Sequence, residues 1–190
     1  MVAAGHEGNA MNFAEQIGEW SGFYTTVAGL AGTLVGLLFV GLGLNPRIIG
    51  AGGPAGMRVL AAETFHNFLV VLVIALMALV PDDTARSLAI TLLIVGVQGI
   101  IRVALDLRRA RGDPDPHWRA LHSLTRYVSP VVAYGLCLWL GSDLWDGRSE
   151  VLGSIVVVVF LLLLSATSNC WDLLEAIGMQ SGAAATDLRG

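Results

Sequence analysis

Residues 28–46 read AGLAGTLVGLLFVGLGLNP, nineteen positions with five glycines and no charged side chain. In water each glycine weakens a helix by about 1 kcal/mol relative to alanine. In lipid that penalty fades, because a backbone without water has no better partner than its own helix. Small residues then let two helix backbones approach closely, so that van der Waals packing drives their association. The stretch therefore reads as a membrane-spanning helix with one edge cleared of bulk, closed by Asn45-Pro46. Ala28, Gly32 and Gly36 recur every four residues, with Gly29 and Thr33 on the adjoining row. This ridge predicts helix packing through Ala28, Gly29, Gly32 and Gly36, against another span of the chain or the same span of a neighbouring copy. Gly41 and Gly43 extend the small surface.

The composition agrees with a chain that lives in lipid. It has 190 residues, 55% hydrophobic and only 14% charged, with a mean hydropathy of +0.69. Soluble domains carry about 25% charged residues. Five segments approach the roughly 20 apolar residues needed to cross the hydrocarbon layer. They cover residues 23–44, 59–80, 88–107, 127–145 and 151–174, the fourth being the weakest because it contains Pro130. The expected fold class is an all-α integral membrane protein with five transmembrane helices, one domain over 23–174. An amphipathic segment over 1–22, with Phe13, Ile17 and Trp20 on one face, leads into it. Residues 115–126 read as an interfacial helix opened by Asp115-Pro116, and 175–190 as a flexible tail.

Charge sets the expected orientation, since arginine concentrates on the cytoplasmic side. All eleven basic residues are arginine. Arg47 and Arg58 follow the first segment, and Arg108, Arg109, Arg111, Arg119 and Arg126 follow the third. The opposite loops hold only Arg86 and Arg148, beside Asp82, Asp83, Asp143, Asp146 and Glu150. The pattern predicts the N-terminus outside and the C-terminus cytoplasmic. Residues 1–22 carry three glutamates and no basic n-region, so the first apolar segment reads as a retained span, not a cleaved signal.

The same composition excludes several chemistries. Without lysine there is no Schiff-base lysine and no phosphate-loop lysine. A net charge of −4 leaves no basic footprint for nucleic acid. Cys137 and Cys170 both fall in apolar segments and read as buried free thiols. No zinc-ligand spacing, nucleophile elbow or dinucleotide fingerprint is present, so no metal, no cofactor and no catalytic residue is expected.

Polar residues at depth are the remaining candidates. An ionisable group at mid-helix costs about 2.5–3.5 kcal/mol to insert and is retained with a partner or a task. Glu63 and Asn67 share a face of the second segment with His66 at its flank. Gln98, Arg102 and Asp106 repeat at four-residue spacing on the third, and Asn169 and Asp172 follow Ser165 on the fifth. At 1.5 Å per residue these stripes reach a similar layer. One reading is structural, a salt bridge of Arg102 with Glu63 or Asp106 and amides that set helix packing. The other is an ion or proton site with Glu63 and His66 titrating.

The runs GLLFVGLGLN, 36–45, and LAAET, 60–64, carry a resemblance. Over residues 23–81 the chain resembles small bacterial multi-spanning membrane proteins of high-GC genomes. In these a small-residue-rich helix ends in a leucine-phenylalanine-valine run and an asparagine, and an apolar helix led by alanine, alanine and glutamate follows. The resemblance implies a multi-pass protein of the bacterial inner membrane and assigns no activity. The expected function is a small oligomeric pore or transport protein for an ion or small solute, its path lying between copies of the first span. The alternative is a non-conducting subunit docked on a membrane protein partner. The partners expected are the lipid bilayer, a second copy and such a protein.

Overall fold

The computed structural model describes residues 3–44, 55–80, 85–112, 124–148 and 152–187. These form five helices: α1 (Ala3–Leu44), α2 (Ala55–Ala78), α3 (Ala85–Gly112), α4 (Leu124–Trp145) and α5 (Leu152–Asp187). The described chain is all-helical. Four helices hold stretches long and apolar enough to cross a membrane: Gly18–Leu44, Met57–Ala78, Ala85–Arg108 and Gly153–Glu175. α4 is not among them; its 22 residues include Arg126, Ser129, Pro130, Ser142 and Asp143. Three expected boundaries move. Residues 3–22 are not a separate segment but the first turns of α1, and residues 175–187, expected as a flexible tail, continue α5. Ala183 to Ala185 are strong helix formers, and no proline falls between 175 and 187, although Gly178 and Gly182 weaken the run. Most of the interfacial helix expected over 115–126 lies outside the described residues, and 124–126 open α4.

The helix ends follow from local chemistry. α2 closes with bonds from Leu79 N–H to the Leu76 carbonyl (3.0 Å) and from Val80 N–H to that of Met77 (3.4 Å), tightening the last turn before Pro81. At the end of α4, Gly147 has φ 84°, a left-handed conformation that a side chain resists. Its N–H bonds the Leu144 carbonyl at 3.1 Å, and the Arg148 N–H reaches back to that of Asp143 at 3.0 Å. This paired closure satisfies two carbonyls that would otherwise be orphaned. The Arg148 guanidinium then bonds the Asp143 carboxylate at 2.9 Å.

Within the spans, six hydroxyls are satisfied by the helix that carries them. Thr25, Thr26, Thr33, Thr64, Thr91 and Ser168 each donate to the carbonyl four residues back. Thr33 therefore needs no partner from outside α1.

α3 and α4 form the closest pair and run antiparallel. A Cβ on Gly96 would lie 2.7 Å from the Leu138 side chain, and one on Gly141 would lie 2.9 Å from Leu93 and 3.1 Å from the Ala89 carbonyl. A Cβ on Gly99 would overlap the Tyr134 ring atoms Cγ, Cδ1 and Cε1. Real Cβ atoms do not approach so closely, so these three glycines set the helix separation. α5 packs on α2 and α4, α1 packs on α2, and α2 touches α3 lightly.

The ridge on α1 behaves differently. A Cβ on Gly29, Gly32 or Gly36 would meet nothing within 4 Å. The face that α1 turns to the chain is Tyr24, Val27 and Ala31, with Ala28 half-buried beside them. Among the described residues no span of the chain lies close against Gly29, Gly32 or Gly36, whereas Ala28 packs on the apolar core. The close glycine contacts between described helices belong to α3 and α4.

The apolar core joins all five helices. It includes Tyr24 and Ala31 from α1, Val71 and Ile74 from α2, Leu88 and Leu92 from α3, Leu140 and Leu144 from α4, and Ile155 and Leu162 from α5. A second, smaller cluster of Met57, Leu60, Ala61 and Leu173, backed by Leu38 and Leu42, closes the other end of α1, α2 and α5. Trp145 is exposed at the end of the large core and Trp171 at the end of the small cluster, positions where indole rings anchor a protein at the two membrane surfaces.

Candidate functional site

Between the two apolar clusters the interior turns polar. On α2 the buried residues run Leu60, Ala61, Thr64, Asn67, Phe68, Val70 and Val71, with Thr64 and Asn67 breaking the apolar series. On α5 they run Val159, Leu162, Ser165, Ala166, Asn169 and Leu173, with Ser165 and Asn169 doing the same. Asn67 is ten residues into the span Met57–Ala78, about 15 Å along it, so this layer lies at membrane depth. Water cannot serve these groups there, and each must find protein partners.

Three helices meet at Asn67, which is 1% exposed. The Tyr134 hydroxyl of α4 donates to the Asn67 Oδ1 at 2.8 Å. The Asn67 Nδ2 donates to the Ser165 Oγ of α5 at 3.4 Å. One amide thus accepts from one helix and donates to another, which orients its carbonyl and amino ends. A further link ties α4 to α5, where the Ser129 hydroxyl donates to the Leu161 carbonyl at 3.1 Å. Leaving any of these buried groups unpaired would cost about 1–3 kcal/mol.

Ionisable side chains border the layer. Glu63 and His66 are half-buried on α2, one turn or less from Asn67, and Arg102 is half-buried on α3. The charge of Arg102 acts on both His66 and Tyr134, and that of Glu63 acts on Tyr134. The His66 Nε2 is buried with no hydrogen-bond partner among the described residues, as is the Tyr24 hydroxyl on α1. An imidazole nitrogen in that position is an unused acceptor or donor, whichever ring nitrogen carries the hydrogen.

The expected site residues thus divide. Glu63, His66, Asn67, Arg102 and Asn169 gather in or beside one layer. Asp106 and Asp172 are half-buried about one turn beyond Arg102 and Asn169, toward the end of the small cluster. Gln98 does not join them: it is exposed on the outer surface of α3, although Arg102 and Asp106, four and eight residues on, are half-buried. Sequence reasoning missed Tyr134. A tyrosine deep in an apolar segment brings a hydroxyl that needs a partner, and that was the available signal. It also missed Gly96, Gly99 and Gly141, whose spacing forms no four-residue ridge on one helix.

Among the described residues no group of three or more His, Cys, Asp or Glu side chains is placed to hold a metal ion. Cys137 is buried, Cys170 is half-buried, and both are free thiols. No family model matches the chain, and no curated protein or solved structure matches it.

Proposed function

We propose that the protein is a small membrane transport protein for an ion or small solute, and that the polar layer around Asn67 is its central station. The observation that carries this reading is the layer itself: a hydrogen-bonded set from α2, α4 and α5, held at membrane depth between two apolar clusters, with Glu63, His66 and Arg102 at its edge. Groups of this kind are costly in lipid and mark pathways when they face a bundle interior. Because Asn67 is enclosed by α4 and α5, the path it serves runs through the subunit and not along an axis between copies. The large core of leucine, isoleucine and valine closes the other half. This favours a transporter whose helices part during the cycle over an open pore. The light contact of α2 with α3, beside Arg102 and His66, is the seam that would part most easily.

The topology belongs to the same proposal. α4 lies antiparallel to α3 along Gly99–Tyr134, Gly96–Leu138 and Gly141–Leu93, which supports a fifth crossing despite its polar residues. With five spans the arginine pattern orients the N-terminus outside and the C-terminus in the cytoplasm. The resemblance over residues 23–81 implies a bacterial inner membrane.

Flux measured in liposomes holding the purified protein tests the reading, across a panel of protons, alkali cations, chloride and small neutral solutes. At least one species is expected to cross faster than in empty liposomes, and Glu63→Gln or His66→Gln to change its rate. Absence of flux for every species would overturn the proposal.

A second reading has its own observation. The open space over Gly29, Gly32 and Gly36 fits a non-conducting subunit that docks another helix there, from a second copy or a membrane partner. Co-purification of one stoichiometric protein, lost on Gly32→Leu, would favour it.

A further inference from the structure

Gln98 poses a problem that neither reading above answers. Its side chain is exposed on the face of α3 that points away from the bundle. Along α3 it is twelve residues from Arg86 and ten from Arg108, about 18 Å and 15 Å, so it sits near the middle of the hydrocarbon layer. Its exposed neighbours on that face are Ile94, Val97, Ile101 and Leu105, all apolar. A carboxamide there offers two donors and an acceptor to a surface of acyl chains that can satisfy none of them.

We propose that this face of α3 is the contact between two copies of the chain, joined by a hydrogen bond between their Gln98 side chains. The occupant follows from geometry. Copies inserted by the same route share one orientation, so an axis relating them runs along the membrane normal. Rotation about that axis preserves depth, and each Gln98 meets its own counterpart at the same level. The carboxamide is self-complementary: each donates an N–H to the other's carbonyl, as a two-fold contact requires. A foreign partner would need a polar group of its own at that one depth. The exposed residues Ile94, Gln98, Ile101 and Leu105 recur at alternating spacings of four and three, the pattern by which two helices cross at a shallow angle and interlock, and Gln98 is itself a member of the seam. α3 is free for this role because its inner face is already committed to α4 through Gly96 and Gly99. The proposal depends on membrane embedding alone and not on transport.

The test measures association of the full chain in nanodiscs or dilute proteoliposomes, by single-molecule subunit counting over a range of protein-to-lipid ratios. Gln98→Leu is expected to weaken association about three- to thirty-fold, the span of measured interhelical side-chain hydrogen bonds. Circular dichroism and unfolding midpoint should be unchanged, because Gln98 supports nothing inside the subunit. In a Cys170→Ser background, Ile101→Cys should cross-link between copies in the membrane, whereas Leu164→Cys, exposed on α5, should not. A wild-type protein that stays monomeric at all ratios would overturn the proposal. So would equal association of wild type and Gln98→Leu, or cross-linking at Leu164→Cys in preference to Ile101→Cys. Should Gly32→Leu abolish association while Gln98→Leu leaves it intact, the contact belongs to α1 and the proposal is wrong.

Discussion

Replacing Gly99 by alanine adds one methyl group, and the structure specifies what it strikes. The new Cβ would overlap the Tyr134 ring atoms Cγ, Cδ1 and Cε1, whereas carbon atoms prefer separations of about 3.5–4.0 Å. The ring would have to retreat by about 1 Å or more, and its neighbours allow little of that: Tyr134 is 2% exposed and belongs to the five-helix core. Its hydroxyl also bonds Asn67 at 2.8 Å, and a retreat of that size stretches the bond toward its limit. Overpacking of this kind costs about 1–3 kcal/mol. Loss of the interhelical hydrogen bond adds about 0.6 kcal/mol. The better helix propensity of alanine opposes this by about 1 kcal/mol at most, and by less in lipid than in water. The expected net destabilisation is about 1–3 kcal/mol, read from reversible unfolding by SDS in mixed micelles and followed by tryptophan fluorescence and circular dichroism. Gly32→Ala is the matched control, since its Cβ meets nothing within 4 Å. It should move stability by no more than about 0.5 kcal/mol. If the clash with the ring is the cause, Gly99→Ala combined with Tyr134→Ala should cost less than the sum of the two by about 1 kcal/mol or more. A Gly99→Ala protein as stable as wild type, or a strictly additive double variant, would refute the close-packing argument.

Other expectations follow from the same geometry. Asn67→Leu removes the amide that Tyr134 and Ser165 share and should destabilise the bundle by about 1–3 kcal/mol, because both hydroxyls are left buried without it; a neutral or stabilised variant in the same SDS titration would show that the layer does not hold the helices. Tyr134→Phe keeps the ring over Gly99 while orphaning the Asn67 carbonyl, so it should cost about 1–3 kcal/mol in that titration and should leave helix content unchanged. Arg148→Ala removes an ion pair whose guanidinium is 69% exposed, and thermal denaturation should shift by the equivalent of no more than about 1 kcal/mol. Gly147→Val should cost more than Arg148→Ala, since it forces a β-branched residue into φ 84° at the end of α4.

The polar layer is partly legible in the amino-acid sequence. Glu63, His66, Asn67, Arg102 and Asn169 stand out because an ionisable group or amide inside an apolar run is rare and its depth can be counted from the nearest arginine. Direction cannot be counted in that way. Gln98 is four residues from Arg102 and shares its helical line, yet it faces outward because α4 packs against the opposite side of α3. Tyr134 is hidden for the same reason: its importance comes from Asn67, 67 positions away in the chain. The glycines show the limit most clearly. The regular ridge of Gly29, Gly32 and Gly36 has open space beside it, while Gly96, Gly99 and Gly141 carry the close contacts between α3 and α4.

The amino-acid order alone determined that this chain is helical and built for lipid, because hydropathy and charge are properties each segment possesses on its own. The tertiary structure alone decided which small residues are crowded, which amides are enclosed and which face of each helix is turned inward. Those depend on how neighbouring helices rotate about their own axes. Lipid tails are as apolar as leucine, so a spanning helix has no hydrophobic stripe to betray its buried side, and only packing and hydrogen bonds choose it.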